Sequence, residues 1–148
     1  MLYSIRREDI FTVLNWQSSI TTLAEIFSTK PDDKVTPNWS YVFVSIVSDN
    51  QKMYSNRWNL MKTARISLTV VCKKKLWATD TEERVIYSII DKITNTIVSE
   101  WCVKISQWCW ITVTSISEDA ISPMFIDEEN RAYIVKDYIF NYLSQSDD

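Results

Sequence analysis

Leu60-Met61-Lys62-Thr63-Ala64-Arg65-Ile66-Ser67-Leu68-Thr69-Val70-Val71-Cys72-Lys73 is the stretch on which the fold turns. Ala64, Ile66, Leu68, Val70 and Cys72 alternate with Arg65, Ser67, Thr69, Val71 and Lys73. A period of two is that of a β-strand, so the first set faces a core and the second faces solvent or a neighbouring subunit. Upstream, Tyr41 to Val47 (Y-V-F-V-S-I-V) is almost continuously apolar and rich in β-branched residues, as in a strand covered on both faces. The polar stretch Ser48 to Asn59 reads as the connection between the two strands.

Farther out on the amino-terminal side, Ile10, Leu14, Gln17, Ile20, Ala24 and Phe27 recur at three- to four-residue spacing. Phe11, Val13, Trp16 and Leu23 widen that face, and the pattern predicts one helix over Glu8 to Phe27. Lys30-Pro31 ends it, because the residue before a proline is pushed out of the helical region. Pro31 to Pro37 is then a loop. On the carboxyl-terminal side, Thr79-Asp80-Thr81-Glu82 matches a capping box. Behind it Val85, Ile86, Ile89, Ile90, Ile93 and Ile97 form one stripe, opposite Glu83, Arg84, Asp91, Lys92 and Asn95. The spacing predicts a second helix to about Glu100. Ser106 to Ser117 and Arg131 to Leu143 read as two closing strands around an acidic loop, Glu118 to Asn130, and Ser144 to Asp148 as a polar tail.

The expected architecture is a single α+β domain over residues 1–148, with its ordered core in 8–143. The order is α-β-β-α-β-β, a mainly antiparallel sheet with two helices packed on one face.

Composition bears on function. The chain of 148 residues contains no glycine and no histidine, although average usage would supply about ten glycines. A P-loop, a G-x-G-x-x-G turn and a G-x-S-x-G elbow are therefore excluded. So are Ser-His-Asp and Cys-His relays and imidazole-ligated zinc. Cys72, Cys102 and Cys109 are odd in number and lack C-x-x-C spacing; they read as reduced, partly buried thiols. No catalytic residue, metal ligand or cofactor is assigned. The amino terminus lacks the apolar run of a signal peptide, and no window resembles a membrane span. A net charge of −3 supplies no excess of cations for tight nucleic-acid binding.

Three features invite a functional reading beside a plain one. Asp119 and Asp127-Glu128-Glu129 match no metal-loop spacing and read as solvated turns. Lys73, Lys74 and Lys75 either touch passing phosphates transiently or guard an exposed strand end. Seven tryptophans, with Trp101, Trp108 and Trp110 close together, suit either stacking on a ligand or packing at a subunit interface. The acidic balance favours packing, and Trp108, Trp110, Tyr133 and Tyr138 are the interface candidates.

Tyr41 to Ile46, Arg57 to Cys72 (R-W-N-L-M-K-T-A-R-I-S-L-T-V-V-C), Thr81 to Ile97 and Tyr133 to Tyr142 together resemble the layout of tail-terminator proteins of long-tailed bacteriophages. Related tail-completion and neck proteins share it. The resemblance spans roughly residues 8–143 and is one of pattern, so no single residue is carried over. It implies a non-enzymatic virion protein: a homo-oligomeric ring, six-fold by expectation, that caps the tail tube or joins tail to head. Its partners would be tail-tube and head-completion or portal proteins, with transient, non-specific contact to passing DNA and none to membrane. Such a subunit would assemble in the host cytoplasm and reside in the tail or neck of the virion. The competing reading is a small cellular protein-binding adaptor or regulatory domain.

Overall fold

A computed structural model describes residues 4–31, 40–54, 59–73, 82–106, 111–126 and 131–145. Helix α1 spans Arg7–Asn15. The Arg6 N–H donates to the Asp9 carboxylate at 3.0 Å, fixing the entry to the helix. Glu8 and Asp9 in the first turn favour the positive end of the helix dipole.

The helix does not continue to Phe27. Gln17 is extended, with φ −94° and ψ 104°, and the chain re-enters a short helix α2 at Ser18–Thr21. It then forms strand β1, Glu25–Phe27. Ile10, Val13, Leu14, Ile20, Ala24 and Ile26 are all buried. The break keeps these six side chains inside and frees Phe27 for the sheet, but it leaves Trp16, expected on the apolar face, 53% exposed.

Strand β2 is Tyr41–Tyr54 and β3 is Asn59–Lys73. The stretch from Ser48 onward is thus largely strand, and the two form a long antiparallel hairpin. β1 pairs with β2 in parallel, Glu25 opposite Tyr41 and Phe27 opposite Phe43. With β1 on one side and β3 on the other, the start of β2 is interior, which is why its sequence is so apolar.

Helix α3 spans Glu82–Ser106, six residues beyond the predicted end; the capping residues Thr79 to Thr81 lie outside the described residues. Ile86, Ile89, Ile90, Ile93 and Ile97 are buried, while Arg84, Asp91 and Asn95 are exposed. Each buried isoleucine contributes about 1.5–3 kcal/mol relative to exposure. Strand β4 is Ile111–Ile121, β5 is Phe125–Ile126 and β6 is Arg131–Gln145. The expected acidic loop therefore contains the end of one strand and the whole of another. The expected tail begins inside β6, where Ser144 is fully buried.

The six strands make one mixed, mostly antiparallel sheet in the order β1-β2-β3-β6-β4, with β5 alongside β6. At its centre β3 and β6 pair without a shift, from Asn59 opposite Gln145 to Lys73 opposite Arg131. Val42 and Val44, Ala64 to Cys72 at even positions, and Ala132, Ile134, Tyr138, Phe140 and Tyr142 point to one side. There they join the apolar residues of all three helices in one core. α3 lies against β3, β4 and β6, and α1 against β1, β2 and α3.

A candidate assembly surface on the open face of the sheet

Alternation places the odd-numbered residues of β3 and β6 on the face away from the helices. That face has two zones. At one end an aromatic belt crosses the sheet. Phe27 meets Tyr41 edge-on at 6.0 Å, Tyr41 stacks on Phe43 at 6.4 Å, and Phe125 stacks on Tyr133 at 5.0 Å with planes 6° apart. Val71, between Tyr41 and Tyr133 in register, is fully buried. The expectation that Val71 faces solvent or a neighbour is corrected: this end of the outer face is apolar and closed within the subunit.

The middle of the face is polar. Arg65 pairs with Asp119, and its Nε lies 3.3 Å from Asp137 Oδ2 without being aligned to donate. Ser67 donates to Asp137. Thr63 donates to Asn141 Oδ1 at 2.8 Å, and Asn141 in turn donates to Ser115 at 3.0 Å. These links tie β3, β6 and β4 together through side chains. The Arg65 and Asp119 side chains are 42% and 32% exposed, so their pairing contributes under about 1 kcal/mol.

Bulges set which side chains reach this face. In β4, Thr114 is an extra residue between Val113 and Ser115, and its hydroxyl donates to the Asn141 carbonyl at 3.0 Å, filling the gap in the ladder. Asp119 and Ala120 together oppose Asp137, which lets Asp119 reach across β6 to Arg65. In β2 an extra residue at Val47, 59% exposed, reverses the alternation and turns Asp49 to the helix side.

Beside the belt, Phe125 is 52% exposed on the outer face, while Ile121 and Ile126, opposite Lys136 and Ala132 in register and so on the helix side of the same edge, are 46% and 58% exposed. These residues were hidden in sequence inside a segment read as a solvated acidic loop; the apolar pair Phe125-Ile126 was the available signal. Lys136, facing the helix side, pairs with Glu118 at 2.9 Å beside them.

Of the residues expected at an interface, Tyr133 lies on the outer face, partly buried against Phe125. Tyr138 does not: it is fully buried beneath α3. Its hydroxyl sits 2.7 Å from Thr94 Oγ1. Burial, more than the Thr94 bond or the nearby Glu118 and Asp91 charges, sets its acidity, and its pKa is pushed up from 10.0 to about 12. Trp108, Trp110, Lys74 and Lys75 lie outside the described residues. The backbone of Lys73 ends β3 opposite Arg131.

Among the described residues, no group of three or more Asp, Glu, His or Cys could hold a metal ion. No described helix is long and apolar enough to cross a membrane. A cleft of about 390 Å³ runs between α1, α2 and β1, lined by residues that include Asn15, Thr22 and Glu25.

No protein-family model matches the chain, and no curated protein matches it. Among solved structures it is similar to a chain of the "Virion of native gene transfer agent (GTA) particle", with a TM-score of 0.62. The match covers 93% of both chains at 8% sequence identity. At that identity what the two chains share is the fold.

Proposed function

We propose that the protein is a non-enzymatic structural subunit of a virion, forming a ring that terminates the tail tube or joins tail to head. The observation that carries this reading is the end-to-end fold likeness to a chain of a virion particle. It agrees with the resemblance to tail-terminator and neck proteins. The chemistry of the chain supports it too, since neither histidine nor glycine is available for the common catalytic constructions.

In this reading six copies close a ring, each presenting its aromatic margin and open sheet face to neighbours. Tyr133, Trp108 and Trp110 are interface residues, joined by Phe125 and Ile126, whose exposed apolar surface suits burial between subunits. Tail-tube and head-completion or portal proteins dock above and below. DNA passes with transient contact through Lys73, Lys74 and Lys75. The subunit assembles in the host cytoplasm and remains in the tail or neck.

Light scattering on the purified protein, alone and with its tail or neck partners, tests the ring, together with imaging of native particles. A closed ring in either setting supports the reading. A monomer in both, or absence of the protein from purified particles, overturns it.

A further inference from the structure

One polar cluster lies on the helix side of the sheet, at the end away from the aromatic belt. Tyr142 is 1% exposed, and its hydroxyl donates to Asp49, 2.7 Å from Oδ1 and 2.8 Å from Oδ2. Lys62, opposite Tyr142 in the central ladder, donates to Asp49 Oδ2 at 3.1 Å, with its ammonium 5.6 Å from the Tyr142 ring centre. The Lys62 and Asp49 side chains are only 11% and 18% exposed. Asp49 is on this side only because of the bulge at Val47.

Three strands thus bring an acid, a base and a phenol together, and what they hold is the amino-terminal segment. The Ile5 N–H donates to the Tyr142 hydroxyl at 3.4 Å, and Lys62 donates to the Ser4 hydroxyl. Ile5 itself is 3% exposed and belongs to the core. The next amide, of Arg6, is taken by Asp9 inside α1's own first turn. Among the described residues, Ser4 and Ile5 are therefore fastened to the sheet by the buried Ile5 side chain and by this network, outside any strand.

We propose that Asp49, Lys62 and Tyr142 form a latch that closes the amino-terminal segment over the end of the sheet, and that the segment opens as a unit while the sheet stays formed. The physical ground is asymmetry of attachment. The three latch residues sit in β2, β3 and β6, each held by ladder hydrogen bonds on the backbone. Among the described residues the hydrogen-bond partners of Ser4 and Ile5 are side chains, and segments so held open at low free energy. Tyr142 is the hinge of the arrangement because the same oxygen donates to Asp49 and accepts from Ile5. This inference does not depend on the proposed virion role.

Amide hydrogen exchange read by NMR in low urea tests it on the unmodified chain. The Ile5 amide should exchange at least tenfold faster than those of Ile134 and Tyr138, with little urea dependence. Ile5 exchange that matches those two amides in rate and urea dependence overturns the proposal. In Tyr142→Phe, the Ile5 amide should speed up at least tenfold further while α3 amides keep their protection. An unchanged Ile5 rate in a folded Tyr142→Phe variant would also overturn it. Should that variant not fold, Ser4→Ala with Lys62→Met makes the same comparison, and the urea series on the unmodified chain decides in any case.

Discussion

The Tyr138 hydroxyl and Thr94 Oγ1 stand 2.7 Å apart, joining the central strand β6 to the middle of α3 across an otherwise apolar layer. The phenol keeps its proton to about pH 12 when folded and to about 10.0 when unfolded. Between those values the unfolded chain releases a proton that the folded one retains, so stability falls as pH rises. Tyr142, raised in the same direction by burial and by Asp49, adds to the fall. Urea titrations at pH 8 and pH 11.5 should differ by on the order of 2 kcal/mol or more. Tyr138→Phe should remove part of that difference.

Ile90 is 4% exposed on the face of α3 that meets the sheet. Ile90→Asp places a carboxylate there without a partner and should cost about 4 kcal/mol or more, enough to unfold a marginal domain. Ile90→Val should cost only about 1 kcal/mol. Circular dichroism melts of both variants check the pair; a near-normal melt for Ile90→Asp would mean that the helix is rotated.

At the belt margin stability and assembly should separate. Ile126 is 58% exposed, so Ile126→Ser should change the unfolding free energy by about 0.5 kcal/mol or less. If the margin is buried between copies, the same change weakens self-association measured by sedimentation. Asp119→Asn serves as a comparison from the polar zone, costing under about 1 kcal/mol because its pair with Arg65 is partly solvated.

Duplex DNA should bind weakly. Net charge is −3, and few phosphates can be neutralised at once. A fluorescence titration at about 150 mM salt should show no sub-micromolar, sequence-dependent affinity. Replacing Lys73, Lys74 and Lys75 with alanine should reduce whatever non-specific binding is seen. Tight, sequence-dependent binding would move the reading toward a nucleic-acid regulator.

The parts of this fold that could be read in advance are those where burial and periodicity coincide. The Ala64-to-Cys72 alternation and the Ile86-to-Ile97 stripe each have one dry face, and each appears where its period places it. The break at Gln17 has no glycine or proline to announce it, and the residues beyond continue a three- to four-residue spacing by coincidence. The far half of β2, from Ser48, is held by its ladder hydrogen bonds to β3, so a polar sequence can form strand there without an apolar run to announce it. Bulges leave no trace in composition, so the turning of Asp49 inward and the reach of Asp119 to Arg65 were illegible. The candidate surface suffered most. Tyr133 could be picked out by type, but Tyr138, five residues on and of the same type, is interior. Only the pairing register separates them.

The central pairing of β3 with β6 has a consequence for how the chain comes into being. β3 leaves the ribosome well before its main partner exists, and Asn59 must wait for Gln145. Until then the apolar side of the β2–β3 hairpin has only the helices to cover it, α1 and α2 made before it and α3 made after it. Folding of such a chain is governed by its latest-made segment and proceeds slowly, because distant contacts must form before they are rewarded. The interval before β6 is made is therefore when the free edge of β3 is most open to pairing with another chain.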